Sequence, residues 1–152
     1  MLCATIGLNV VSFLLAAVPA PAAGADDALR ADDLVGVYEI VSGEKFGVEE
    51  PRNRIEGSTV RFTKDRVVVV DKEEKEVYGA TYKLEPGKAE HGACKVTLTS
   101  KLADKEDEVA HGLIERKDGE LRLIYAIAGG EPPVTFKTKD KQLMFVLKKK
   151  RS

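Results

Sequence analysis

From Leu34 onward the apolar residues of this chain fall into short runs separated by charged or Gly/Pro turns, and within the runs they recur at every second position. A period of two puts alternate side chains on opposite faces of a strand; a helix needs a period near 3.6 and longer uninterrupted segments. The turns leave no room for a long helix, so the chain is expected to be all-β and antiparallel.

The first expected strand is residues 34–42, with Gly36, Tyr38 and Ile40 on one face and Val35, Val37, Glu39 and Val41 on the other. Both faces carry apolar residues, as in a strand covered on two sides. Residues 43–57 are polar, contain Pro51, Arg52 and Arg54, and read as a long loop that can overhang the open end of a barrel. Residues 58–63 and 66–71 form a hairpin by composition, because β-branched residues flank the Lys64-Asp65 turn. A strand over 76–84 sets Tyr78, Ala80, Tyr82 and Leu84 together and stops at Pro86-Gly87. Residues 94–100 group Val96 with Leu98, and a charged tip follows at 103–107. Residues 109–116 and 121–127 flank Asp118-Gly119, the signal of a tight hairpin, and 143–147 is the last strand.

These are eight candidate strands. An open sheet would leave two edges to protect, whereas a meander that closes on itself leaves none. A barrel of about eight strands is therefore expected, wide enough for packed side chains or one small ligand. The inward-facing set reads as Tyr38, Ile40, Val60, Phe62, Tyr78, Tyr82, Val96, Leu98, Leu113, Leu123 and Tyr125. Such residues either fill a core or line a ligand site; Tyr38, Ile40, Phe62, Tyr78, Tyr82, Leu98, Leu123 and Tyr125 are the candidate ligand contacts.

Ahead of the strands, the first 25 residues contain no Asp, Glu, Lys or Arg, and residues 6–18 are apolar apart from Asn9 and Ser12. Pro and Ala residues follow, then Ala23-Gly24-Ala25 before Asp26 and Asp27, the anatomy of a secretory signal peptide cut near Ala25. The run is shorter than the about 18 residues of a membrane anchor. The expected organisation is a signal peptide over 1–25, a lead-in over 26–33 that includes one helical turn, a barrel over 34–149 and a basic tail over 150–152. Export to the periplasm or the exterior follows, with no stable membrane span after cleavage. Cleavage removes Cys3 and leaves Cys94 alone, expected to be a small buried apolar residue.

The 24 basic and 25 acidic side chains nearly cancel, which argues against nucleic acid as a partner. No Gly-x-Ser-x-Gly, His-Glu-x-x-His, Cys-x-x-Cys, phosphate-binding loop or dinucleotide fingerprint occurs, so the chain reads as non-enzymatic and without a cofactor. His91, Cys94 and His111 are metal-ligand types, but a turn near Lys105 would set His111 opposite Leu98 or Thr99, about 13 Å along the ladder from Cys94. The acidic stretches 71–76 and 104–108 lack the spaced carboxylates and central glycine of a calcium loop and read as solvated turns.

The order of motifs resembles a family, the uncharacterised small secreted domain that recurs in planctomycete proteomes and is taken to be lipocalin-like. The likeness runs over about residues 34–149: Leu34-Val35-Gly36-Val37-Tyr38 with Ser42-Gly43-Glu44, then Gly79-Ala80-Thr81-Tyr82-Lys83-Leu84-Glu85-Pro86, then Asp118-Gly119-Glu120-Leu121. Tyr38 stands where the family has Trp, and Pro132-Pro133 where it often has Arg-Pro. The resemblance implies a calycin-type barrel with Tyr38 in its floor and Lys148 or Lys149 as the basic residue packed over it. It brings no catalytic residues. The expected role is an exported barrel domain that binds a small apolar or amphipathic molecule inside. The alternative is a protein-binding or inhibitory module acting through loops 43–57 and 128–134.

Overall fold

Each alternating run pairs with its neighbour in sequence, which lets short turns connect antiparallel strands at little entropic cost. The computed structural model describes residues 29–88, 93–100 and 108–151. Its elements are α1 (Ala31–Leu34), β1 (Gly36–Lys45), β2 (Val48–Glu49), α2 (Arg52–Ile55), β3 (Thr59–Phe62), β4 (Arg66–Val70), β5 (Glu76–Lys88), β6 (Cys94–Ser100), β7 (Glu108–Lys117), β8 (Glu120–Ala126) and β9 (Gln142–Lys149). The expected signal peptide, the tip at 103–107 and His91 lie outside the described residues.

The strands run β1-β3-β4-β5-β6-β7-β8-β9, all antiparallel, and β9 pairs with β1 from Tyr38↔Lys149 to Lys45↔Leu143. That last pairing closes an eight-stranded barrel, with β2 added at the far end of β1. A register shift between Ile40 and Ser42 bends β1, so Gly36–Glu39 pair with β3 on one side while Tyr38–Lys45 meet β9 on the other. The Asp118-Gly119 hairpin is present as expected: both residues have positive φ, 54° and 78°, the conformation that matches the twist of the flanking strands.

Four expectations need correction. Residues 43–57 are not one loop, because Gly43–Lys45 extend β1 against Leu143–Phe145 and the remainder holds β2 and α2. β5 does not stop at Pro86; it continues to Lys88 across an irregularity between Leu84 and Lys88, where a residue without an amide hydrogen can be accommodated. The second face of β1 is not covered, since Val37 and Val41 are exposed. Leu113 does not face the interior: the inward residues of β7 are Ala110 and Ile114, while Leu113 packs outside with Ala93, Ile124, Phe136 and Met144.

This outer cluster exists because the segment between β8 and β9 folds back over the barrel wall. Thr138 and Gln142 anchor it, and both are buried polar residues with partners. The Thr138 amide donates to Glu44 Oε1 at 2.9 Å and its hydroxyl donates to the same oxygen, while Gly47 N–H donates to Thr138 Oγ1 at 2.8 Å. Gln142 accepts from Lys139 N–H at 2.9 Å and donates to the Glu131 carbonyl at 2.8 Å. Satisfied groups of this kind hold a loop in one geometry, because breaking a bond would strand a buried donor.

Candidate functional site

The barrel interior divides into a packed end and a hollow end. At the packed end Tyr38, Phe62 and Tyr82 project from β1, β3 and β5 and meet edge-to-face, with ring centroids 5.6 and 5.7 Å apart. The Tyr38 hydroxyl donates to the Leu34 carbonyl at 2.9 Å and that of Tyr82 to the Thr63 carbonyl at 2.6 Å. Leu34, fully buried, closes this end from α1, with Leu29 and Ala31 packed beside it. Arg116 of β7 donates to the Asp33 carbonyl at 2.8 Å and so ties the lead-in to the barrel.

Burial pushes the Tyr38 hydroxyl above its ordinary pKa, against a smaller opposing pull from the Arg116 guanidinium. The cation acting on the floor tyrosine thus comes from β7. Lys148 and Lys149, to which the resemblance assigns that part, are exposed, and Lys149 sits opposite Tyr38 in the ladder with its Cε beside Gly36.

Toward the other end β3 and β4 present shorter side chains, Val60, Val67 and Val69. Across from them stand Leu98, Leu123 and Leu147, and the gap between is a cavity of about 260 Å³. Ile40, Tyr78, Tyr125 and Phe145 complete the wall, with the Tyr125 and Phe145 rings 6.5 Å apart. α2 lies over the mouth: Ile55 is buried against the interior, while Arg54 and Ser58 line the opening. The volume is just under the range of about 300–1,000 Å³ usual for small-molecule sites.

The phenols of the hollow end are held protonated. Burial raises the pKa of Tyr78 and of Tyr125, and the Glu108 carboxylate raises both further. Both therefore present O–H donors at neutral pH. At the packed end Tyr82 is pushed up to about 12, chiefly by burial and then by Asp65. A phenol whose folded pKa exceeds the unfolded value near 10 contributes stability that is intact below pH 10 and is lost as pH rises toward 12. Alkaline unfolding is therefore expected to steepen over that window, by on the order of 2 kcal/mol for Tyr82. Tyr82→Phe should flatten the fall in chemical-denaturation midpoints between pH 10 and 12; an unchanged slope would assign the effect elsewhere.

Of the eight candidate contacts, Ile40, Tyr78, Leu98, Leu123 and Tyr125 line the cavity, while Tyr38, Phe62 and Tyr82 form the packed end. Arg54, Ile55, Ser58, Val60, Val67, Val69, Val77, Phe145 and Leu147 belong to the lining and are absent from those eight. Two signals point to some of them: Ile55 is a lone large apolar residue in a polar stretch, and Phe145 and Leu147 alternate in the last run.

Among the described residues, the metal-ligand types Cys94 and His111 are not brought together. Cys94 pairs with Ile114 and is buried in the interior, whereas His111 pairs with Thr97, not with Leu98 or Thr99, and is exposed. Asp71 is used locally, its Oδ1 accepting from the Glu73 and Lys75 amides at 2.9 Å each in the β4–β5 turn. No protein-family model, curated protein or solved structure matches the chain.

Proposed function

We propose that this chain is an exported, non-enzymatic barrel domain that holds a small apolar or amphipathic molecule inside its hollow end. The observation that carries the reading is the asymmetry of the interior. One end is filled by three interlocked aromatic rings, while the other keeps an open, apolar-walled space under α2. Interiors normally pack to high density, because an unfilled volume forgoes dispersion contacts on every side. A ligand that occupies the space restores those contacts, and its apolar surface leaves water. The charge-free N-terminal stretch supports export, and mature protein recovered from the cell envelope should begin at Asp26.

Val69→Phe tests the cavity directly. Val69 is half-buried and lines the hollow. A phenyl ring placed there occupies volume that a ligand would need, without the about 1–3 kcal/mol penalty of overfilling a packed core. Binding of small aliphatic alcohols, followed by calorimetry, should weaken at least tenfold while the unfolding midpoint holds or rises. Equal affinity in the parent and the variant would place the binding outside the barrel, and absence of binding by the parent would remove the reading.

A further inference from the structure

The polar groups on the cavity wall share one chemistry. Tyr78 and Tyr125 supply phenols, Ser58 a hydroxyl and Arg54 a guanidinium, and among the described residues no carboxylate is in the lining. Of the described lining residues, Arg54 alone carries a formal charge. Its nearest acidic partner, Glu50, is 3.8 Å away, and the Arg54 side chain is 71% exposed. The Glu50 side chain is only 14% exposed, but at 3.8 Å the pair is too long for a hydrogen bond, and the guanidinium keeps its donors free to pair with a second anion. Of the other described carboxylates at this end, Glu108 sits on β7, three strands from β1 around the barrel, and Glu56 follows α2 beside a second cation of that helix, Arg52, while α2 packs on β1. An anion at the mouth is thus drawn to the α2 side.

We propose that the cavity selects a small monoanion with a short aliphatic tail, its carboxylate-like head on Arg54 at the mouth and its tail against Leu98, Leu123 and Leu147. This inference rests on the ligand-binding reading above and specifies its chemistry. The volume limits the tail. At about 260 Å³, just under the usual small-molecule range, the cavity suits a medium chain better than a long-chain lipid. A cationic head finds no carboxylate in the lining and meets the Arg54 charge.

Titration of the full chain with octanoate, 1-octanol and octylammonium, followed by calorimetry, separates the possibilities because the three differ in the head and share the tail. Octanoate should bind at least tenfold more tightly than octanol, and octylammonium more weakly than either. Arg54→Gln should bring octanoate down to the level of octanol and leave octanol unchanged, while Arg54→Lys should retain part of the preference. Octanol binding as tightly as octanoate, or octylammonium binding best, overturns the anion selectivity but leaves the cavity reading standing. Failure of all three probes overturns the cavity reading itself. A preference for octanoate that survives in Arg54→Gln overturns the assignment to Arg54.

Discussion

Replacement of Gly112 by alanine is expected to destabilise the barrel by about 3 kcal/mol, the upper end of what overfilling a packed site costs. A β-carbon at Gly112 would collide with the Ile124 carbonyl oxygen and would lie 2.9 Å from Tyr125 Cβ and 3.0 Å from Tyr125 Cα. These are backbone and near-backbone atoms of the paired strand β8, so no rotamer change relieves the overlap. Either β7 and β8 move apart and lose ladder hydrogen bonds, or Tyr125 leaves its place in the cavity wall. Urea unfolding should show a lower midpoint at unchanged slope. The hollow end should also lose affinity for octanol, since Tyr125 is one of its lining residues. A midpoint equal to that of the parent would mean that the two strands do not approach this closely.

Leu34→Ala is expected to have a comparable effect on stability, about 3 kcal/mol, with a different signature. Leu34 is fully buried and closes the packed end above Tyr38, whose hydroxyl is bonded to the Leu34 carbonyl. Truncation removes the apolar contact and leaves a hole, because the barrel rim cannot collapse inward past three locked rings. Leu34 is not in the lining of the hollow end, so the folded fraction should bind octanol as the parent does. Thermal unfolding and calorimetry on one preparation check both arms. Parental stability would show that the lead-in rests on the barrel without supporting it, and a loss of affinity would show that the two ends communicate.

Much of this fold can be read from alternation. The runs predict all eight barrel strands with boundaries within a few residues, and the Asp118-Gly119 turn appears with the positive φ pair that its composition demands. The misplacement of Leu113 has a definite cause. Leu113 and Ile114 are adjacent and both large and apolar, so the local pattern cannot say which of them faces inward. Register decides: Ile114 pairs with Cys94 and Leu123, both interior, while Leu113 pairs with Lys95 and Ile124. The burial of Leu113 then depends on Phe136, which arrives from a segment with no strand pattern at all. The extension of β1 was hidden for a similar reason, since Gly43–Lys45 become a strand only by meeting Leu143–Phe145 about a hundred residues further along the chain.

Strand character, the order of the meander and the inward direction of Tyr38, Phe62, Tyr82, Leu98 and Leu123 were already written in the period of the amino acids, because the direction of a side chain on a strand is a local property. Whether an inward residue meets a partner or empty space is not local. It depends on the sizes of groups that arrive from opposite walls, and on the β1–β9 seam that brings Ile40 and Leu147 side by side. The packed aromatic end, the hollow valine-lined end and the placement of Arg54 at its mouth are all consequences of that closure, which sets cross-barrel distances that no short stretch of residues can encode.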